Sequence, residues 1–269
     1  MKAISVTENR DSYVTHPAGA SWIFSKVPSL YFYPRMLGTV LKAWCKARRK
    51  KYTDEEWIKS CQEIFQHLER VDCRFIIRGK KNFIDLARPC VFVGNHMSTL
   101  ETFALGAVIC PHRPVTFVVK EGLVRYPVFK HIMISRYPVV VKRVNPRDDF
   151  RVVMEEGLDR LNRGMSVVVF PQAERSRVLD PQRFNSMGVK LARKAGVPVV
   201  PLALKTDAWG QGRIIKDFGR ISPNRPIRMD FGPAMHVQGN GRAEHQAIVD
   251  FISSRLDAWQ GYARWFGMQ

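Results

Sequence analysis

A chain of 269 residues, 45% apolar and 25% charged, is long and apolar enough to bury a real core, which excludes a disordered or fibrous protein. Its 43 lysines and arginines against 24 acids leave a net charge of +19, so its partners are expected to be anionic: an acidic membrane surface, a phosphorylated substrate, an acidic carrier protein or nucleic acid. The five cysteines (Cys45, Cys61, Cys73, Cys90, Cys110) are scattered and never spaced C-x-x-C, which argues against a disulfide framework or a zinc site and fits a reducing compartment.

Residues 1–19 are polar, carry no apolar stretch of the signal-peptide kind, and read as a loose tail. From Ala20 to Trp44 the composition turns aromatic and aliphatic (Trp22, Ile23, Phe24, Leu30, Tyr31, Phe32, Tyr33, Leu37, Leu41), interrupted by Lys26, Arg35 and Lys42, so no uncharged run approaches a membrane span. Pro28 and Pro34 are expected to break any single helix here. Lys42 to Lys51 then holds six bases and no acid. Aromatics on an apolar face beside a polybasic run describe a segment lying in an anionic membrane interface, monotopic and on the cytoplasmic face; a helix packed on the protein's own core with a solvated basic end is the alternative. Thr53 to Glu69 reads as an amphipathic helix, with acids in its first turn and Trp57, Ile58, Cys61, Ile64, Phe65 and Leu68 at helical spacing.

Beyond residue 70 short apolar runs alternate with helical stretches. Strands are expected at Arg74–Ile77, Cys90–Val93, Val115–Val119, Pro138–Val141, Ser166–Phe170, Val199–Leu204, Arg213–Phe218 and Ile227–Phe231. Helices are expected at Ser98–Ile109, Tyr126–Ile134, Pro146–Asn162, Ser186–Ala195 and Arg242–Trp259, with Gly164 and Gly196 placed to end two of them. The alternation predicts an α/β fold, a mostly parallel central sheet with helices on both faces, preceded by an N-terminal helical membrane-interface segment. The division expected is 1–70 for tail and interface segment and 71–269 for the α/β domain.

Chemistry is expected at the ends of the strands. Cys90-Val-Phe-Val-Gly runs straight into Asn95-His96, and Glu101 follows within Ser98-Thr-Leu-Glu101. That last tetrapeptide is also a capping box, in which Glu101 would turn back to the Ser98 amide instead of toward the histidine. Three further strands end in polar residues: Lys120-Glu121, Lys142-Arg143 and Pro171-Gln-Ala-Glu-Arg175. In a parallel sheet these ends share one edge, and a histidine, an acid and several fixed cations there suit a substrate with a hydroxyl to activate and a phosphate to hold.

These residues resemble a family. Asn95-His96-Met-Ser-Thr-Leu-Glu101 is similar to the N-H-x(4)-D block of the glycerolipid acyltransferases of the 1-acyl-sn-glycerol-3-phosphate acyltransferase type. Phe117 to Lys120 with Val139 to Arg143 resembles the second block, Phe170-Pro-Gln-Ala-Glu-Arg-Ser176 the third (F-P-E-G-T-R-S), and Gly196-Val-Pro-Val-Val-Pro-Leu202 the fourth. The resemblance implies His96 as general base, Glu101 as the acid that orients it, Lys120, Arg143 and Arg175 as ligands of the acceptor phosphate, and Gln172, Glu174 and Pro201 as residues that shape the acceptor site. It implies acyl transfer to a lysophospholipid from acyl-CoA or acyl-carrier protein, with no metal and no bound cofactor. Glu101 stands for the commoner aspartate, and Gln172, Ala173 and Glu174 stand for glutamate, glycine and threonine. These substitutions leave the acceptor open between 1-acyl-sn-glycerol-3-phosphate and another lyso-lipid, such as a lyso-aminolipid.

Other chemistries lack their patterns. The remaining six histidines make no H-x-x-x-H or H-E-x-x-H spacing, and there is no G-x-G-x-x-G, P-loop or G-x-S-x-G. Nucleic-acid binding is not expected, because the bases cluster beside aromatics instead of along a reading helix. A non-catalytic binder of anionic membrane surfaces stays as the rival reading; it would need neither His96 nor Glu101.

Overall fold

The computed structural model describes residues 5–16, 26–172, 174–213 and 215–265. Nine strands form one sheet in the order β1-β2-β3-β9-β8-β4-β7-β5-β6. They are β1 Ser5–Glu8, β2 Tyr13–His16, β3 Phe75–Arg78, β4 Val91–Gly94, β5 Val115–Lys120, β6 Val139–Val141, β7 Ser166–Val169, β8 Val199–Lys205 and β9 Ile227–Phe231. The five strands β8, β4, β7, β5 and β6 run parallel to one another, so their C-terminal ends lie along a single edge. The hairpin β1–β2 and the β8–β9 pair are antiparallel additions.

Alternation along the strands sorts the core onto two faces. Phe92, Phe117, Val168, Leu202 and Leu204 point to one side, where they meet helices α1 (Pro28–Arg48), α2 (Asp54–Glu69) and α4 (Leu100–Ile109). Val91, Val93, Val167, Val169 and Ala203 point to the other, against α7 (Pro146–Asn162), α8 (Met187–Ala195) and α9 (Arg242–Trp265). Short helices α3 (Lys81–Ile84), α5 (Glu121–Arg125) and α6 (Pro127–Ile134) complete the chain. Two glycines let the layers close around β4. A Cβ on Gly94 would stand 2.8 Å from the Leu202 carbonyl oxygen of the neighbouring strand, and one on Gly188 of α8 would stand 2.5 Å from Val93. The α/β class and the mostly parallel sheet are as the alternation of apolar runs predicts.

Three expectations need correction. Residues 5–16 are a hairpin on the sheet edge, not a tail: Tyr13 and Val14 pair with Ile77 and Ile76. The hairpin is anchored at the buried Glu69, which accepts from the Tyr13 and Thr15 hydroxyls at 2.7 and 2.6 Å. Pro28 and Pro34 do not break the following segment, which is one helix of 21 residues. Pro28 occupies the first turn, where its missing N–H has no partner to lose, and Pro34 lies on the exposed side. Across the expected boundary at 70/71, Tyr31, Phe32, Met36, Trp57 and Ile64 join the same cluster as Phe92 and Leu202. The described residues of 213–218, expected as a strand, make no sheet pairing; Phe218 there meets Tyr33, and the Gly210 amide donates to the Arg220 carbonyl. Trp22, Ile23 and Phe24 of the expected interface segment lie outside the described residues.

Helix α1 has two unlike sides. Tyr31, Phe32, Met36 and Val40 are buried, while Leu30, Pro34, Leu37, Leu41 and Cys45 form an exposed stripe at helical spacing. Leu30, in that stripe, is 72% exposed, a leucine left in water. The exposed bases Arg48, Arg49, Lys50 and Lys51 follow directly.

Candidate active site

The parallel strand ends assemble the site. β4 stops at Gly94 because the chain turns into Asn95, whose side chain clamps β8: its Nδ2 donates to the Leu204 carbonyl and its Oδ1 accepts from the Leu204 amide, both at 2.8 Å. This pair of bonds fixes the turn that presents His96. The loop after β7 holds the same turn from the other side. The His96 amide donates to Gln172 Oε1 at 3.0 Å, and the Ser176 amide donates to the His96 carbonyl at 2.8 Å. The imidazole lies flat on Phe170, ring centroids 4.5 Å apart and planes 13° from parallel.

Glu101 lies in the first turn of α4 and is completely buried, whereas the His96 side chain keeps 20% of its surface. The carboxylate divides its oxygens. Oε2 bonds His96 Nδ1. Oε1 accepts from the Met97 amide at 2.7 Å, the Ser98 amide at 3.0 Å and the Thr206 hydroxyl at 2.6 Å. The capping contact and the histidine contact therefore coexist, one on each oxygen. With Nδ1 engaged by a carboxylate, the imidazole holds its proton there, and the lone pair falls on Nε2. Burial of a carboxylate is tolerable here because every neighbour is a donor.

Arg175, from the loop after β7, reaches the entrance of α4: its Nη1 donates to Thr99 Oγ1 and pairs with Asp217 at 2.8 Å. Thr99 in turn donates to Asp217 at 2.7 Å. Lys120 and Arg143 end β5 and β6, two and three strands away from β4, which in a sheet of ordinary spacing is about 10 and about 14 Å. Both are exposed. The Arg143 amide donates to Asp149 at 2.9 Å; atoms crowding its guanidinium lower its basicity, while Asp149 and Glu174 act in the opposite direction. Glu174 is exposed on the loop after β7.

The structure thus brings His96, Glu101, Gln172 and Arg175 together, sets Lys120, Arg143 and Glu174 farther along the same edge, and keeps Pro201 out. Pro201 lies within β8 opposite Val93, buried, with its carbonyl taken by the Gly232 amide at 2.8 Å. What β8 contributes comes from its end, through Leu204 and Thr206. Thr206, Asp217 and the Phe170 stack are absent from the sequence reading. A strand-end rule applied to β8 as to the other strands would have pointed to Thr206; Asp217, 42 positions from Arg175 in a loop, carries no local signal.

Among the described residues no cluster of three or more His, Cys, Asp and Glu is arranged to hold a metal ion. Cys90, beside β4, is buried and its thiol is pushed up to about 11, so it is no nucleophile at neutral pH.

Comparison with known proteins agrees with this architecture. The acyltransferase family model matches residues 74–205. A 1-acyl-sn-glycerol-3-phosphate acyltransferase of Pseudomonas aeruginosa is 30% identical over 186 residues, covering 69% of this chain and 67% of that protein. A chloroplastic 1-acyl-sn-glycerol-3-phosphate acyltransferase of Brassica napus is 31% identical over 139 residues, 52% of this chain but only 38% of its own length. The crystal structure of the 1-acyl-sn-glycerophosphate acyltransferase of Thermotoga maritima superposes with a TM-score of 0.65 over 88% of this chain and 97% of that one, at 19% identity, which is a likeness of fold. With strand, histidine turn and acid-bearing helix inside the matched region, the chain belongs to the acyltransferase family that includes the 1-acyl-sn-glycerol-3-phosphate acyltransferases.

Proposed function

We propose that this protein moves a fatty acyl group from an acyl thioester to the free hydroxyl of 1-acyl-sn-glycerol-3-phosphate, forming phosphatidic acid. The observation that carries the reading is the buried Glu101 carboxylate on His96 Nδ1, which leaves Nε2 as a base on a side chain that is partly exposed. Nε2 takes the hydroxyl proton as the acceptor oxygen attacks the thioester carbonyl; the tetrahedral adduct then expels the thiolate, which recovers the proton from the imidazolium. The acceptor oxygen is the nucleophile, so no acyl-enzyme forms, and the proposed step draws on no resident metal or cofactor. Glu101 stabilises the imidazolium charge. Arg175, with Lys120 and Arg143 farther along the edge, would hold the phosphate, and Gln172 would act through the His96 backbone it supports. The donor is acyl-CoA or acyl-carrier protein; the basic surface accommodates either.

The Arg175–Asp217 pair favours a second reading of the acceptor. A guanidinium already neutralised by a carboxylate attracts a dianionic phosphate less than a free one, and a lyso-lipid with an amino group could use the Glu174 and Asp217 side of the site. An acyl-transfer assay over 1-acyl-sn-glycerol-3-phosphate, a lyso-aminolipid and a neutral monoacylglycerol decides. The phosphate acceptor is expected to have the highest kcat/KM, by about tenfold or more. Preference for the lyso-aminolipid would replace it, and turnover of none would end the acyltransfer reading.

Access to such lipids fits peripheral attachment through α1, on the cytoplasmic face of the membrane. No helix among the described residues is long and apolar enough to cross a bilayer. The exposed leucine stripe of α1 would enter the acyl boundary while Arg48 to Lys51 meet anionic headgroups. Replacing Leu30, Leu37 and Leu41 together by aspartate is expected to weaken sedimentation with anionic vesicles at least tenfold and leave the melting temperature within a few degrees, since all three are exposed. Undiminished vesicle binding by the triple variant would refute attachment through this face.

A further inference from the structure

Thr206 lies one residue beyond β8 and beyond the stretch that the family model matches, and it is fully buried. Its hydroxyl donates to Glu101 Oε1 at 2.6 Å and accepts from the Ser98 hydroxyl at 2.9 Å. Ser98 in turn accepts from the Leu100 amide at 3.3 Å, at the start of the helix that carries Glu101. The donors therefore point one way, from Ser98 to Thr206 to Glu101, and the carboxylate at the end of the chain receives His96 Nδ1–H on its other oxygen.

We infer that Thr206 is a positioning residue of the His96–Glu101 pair. The reason is geometric. The Met97 and Ser98 amides belong to the turn that carries His96 and the helix start, so they hold Oε1 only relative to that local segment. Thr206 is anchored on β8, the neighbouring strand, 105 residues away in sequence. Among the described residues it is the partner of the carboxylate that ties it to the neighbouring strand, as the Asn95–Leu204 clamp ties the histidine turn to the same strand end. Strand β8 thus sets both halves of the pair, the turn through Leu204 and the acid through Thr206, and a carboxylate held at both oxygens cannot rotate away from Nδ1.

The inference rests on the reading of His96 as the base, and the test separates the two. Thr206→Val keeps the shape and removes the hydroxyl; Thr206→Ser restores the hydroxyl. In acyl transfer from oleoyl-CoA to 1-oleoyl-sn-glycerol-3-phosphate, Thr206→Val is expected to lower kcat about tenfold with KM unchanged, and Thr206→Ser to recover most of it. Independently of turnover, the His96 Nδ1–H proton resonance is expected to be present in wild type and Thr206→Ser and shifted or lost in Thr206→Val. A wild-type resonance and wild-type kcat in folded Thr206→Val would overturn the positioning role, as would an equal loss in the serine variant. Full activity in His96→Ala would instead overturn the base assignment, and the resonance would still report whether Thr206 positions the pair.

Discussion

Glu101→Gln is expected to lower kcat by about a thousandfold while the protein stays folded and its acceptor KM changes little. The substitution changes one atom in a site where four donors converge. Oε1 receives the Met97 and Ser98 amides and the Thr206 hydroxyl. A glutamine oxygen can satisfy those three, but its NH2 group then faces His96 and donates to Nδ1. The imidazole responds by carrying its proton on Nε2, the wrong tautomer for a base. Turning the amide over aims NH2 at three donors inside a fully buried site, at a cost of about 1–3 kcal/mol for each unsatisfied group. Either way the lone pair on Nε2 or the hydrogen bonding that holds residue 101 in place is lost. Glu101→Asp keeps the charge but shortens the reach by one methylene, and should retain far more activity than the glutamine variant. Measuring kcat for the two variants checks this; equal losses would mean that charge and tautomer are not what Glu101 supplies.

How far the site could be read in advance follows from how local each signal is. The parallel core was legible because strands covered on both faces must be continuously apolar, and Val91–Val93, Val167–Val169 and Val199–Leu204 are. The His96 turn was legible because polar residues follow an apolar run directly. The hairpin was not, since four-residue strands at the sheet edge carry too short a pattern, and their anchor, Glu69, lies 54 to 56 residues away. Pro34 misled because a proline on an exposed helix face gives up a hydrogen bond without burying an orphan, and the opposite face, with Tyr31, Phe32, Met36, Val40 and Ala43 buried, packs well enough to keep the helix whole. Pro201 differs: motif order placed it at the site, but β8 runs three residues further, to Leu204, before it reaches the active edge. The third block's Gln172 makes structural sense in place. Its oxygen accepts from the His96 amide and its nitrogen donates to the Val178 carbonyl at 3.3 Å, a double role that an ionised glutamate cannot fill.

His96→Ala is expected to remove acyl transfer by about a thousandfold or more, to leave binding to anionic vesicles unchanged, and to lower stability only slightly. The first part follows from the chemistry: without Nε2 the acceptor hydroxyl has no base, since Arg175 is a cation already paired with Asp217 and the Glu101 carboxylate is fully buried with three donors on one oxygen. The second follows from separation. The leucine stripe and the polybasic end belong to α1, whereas the histidine belongs to the β4 edge and contacts Phe170 and Glu101. The third weighs two opposed effects. The alanine loses the ring contact with Phe170 and leaves Oε2 of a buried carboxylate short of one donor, yet its other oxygen keeps three. The backbone bonds to Gln172 and Ser176 do not involve the side chain and should survive. Running acyl transfer, vesicle sedimentation and thermal melting on the same preparation therefore distinguishes the enzyme from a passive membrane binder. Loss of turnover with vesicle binding and fold intact places the activity in the imidazole, while retained turnover would mean that the base lies elsewhere on the sheet edge.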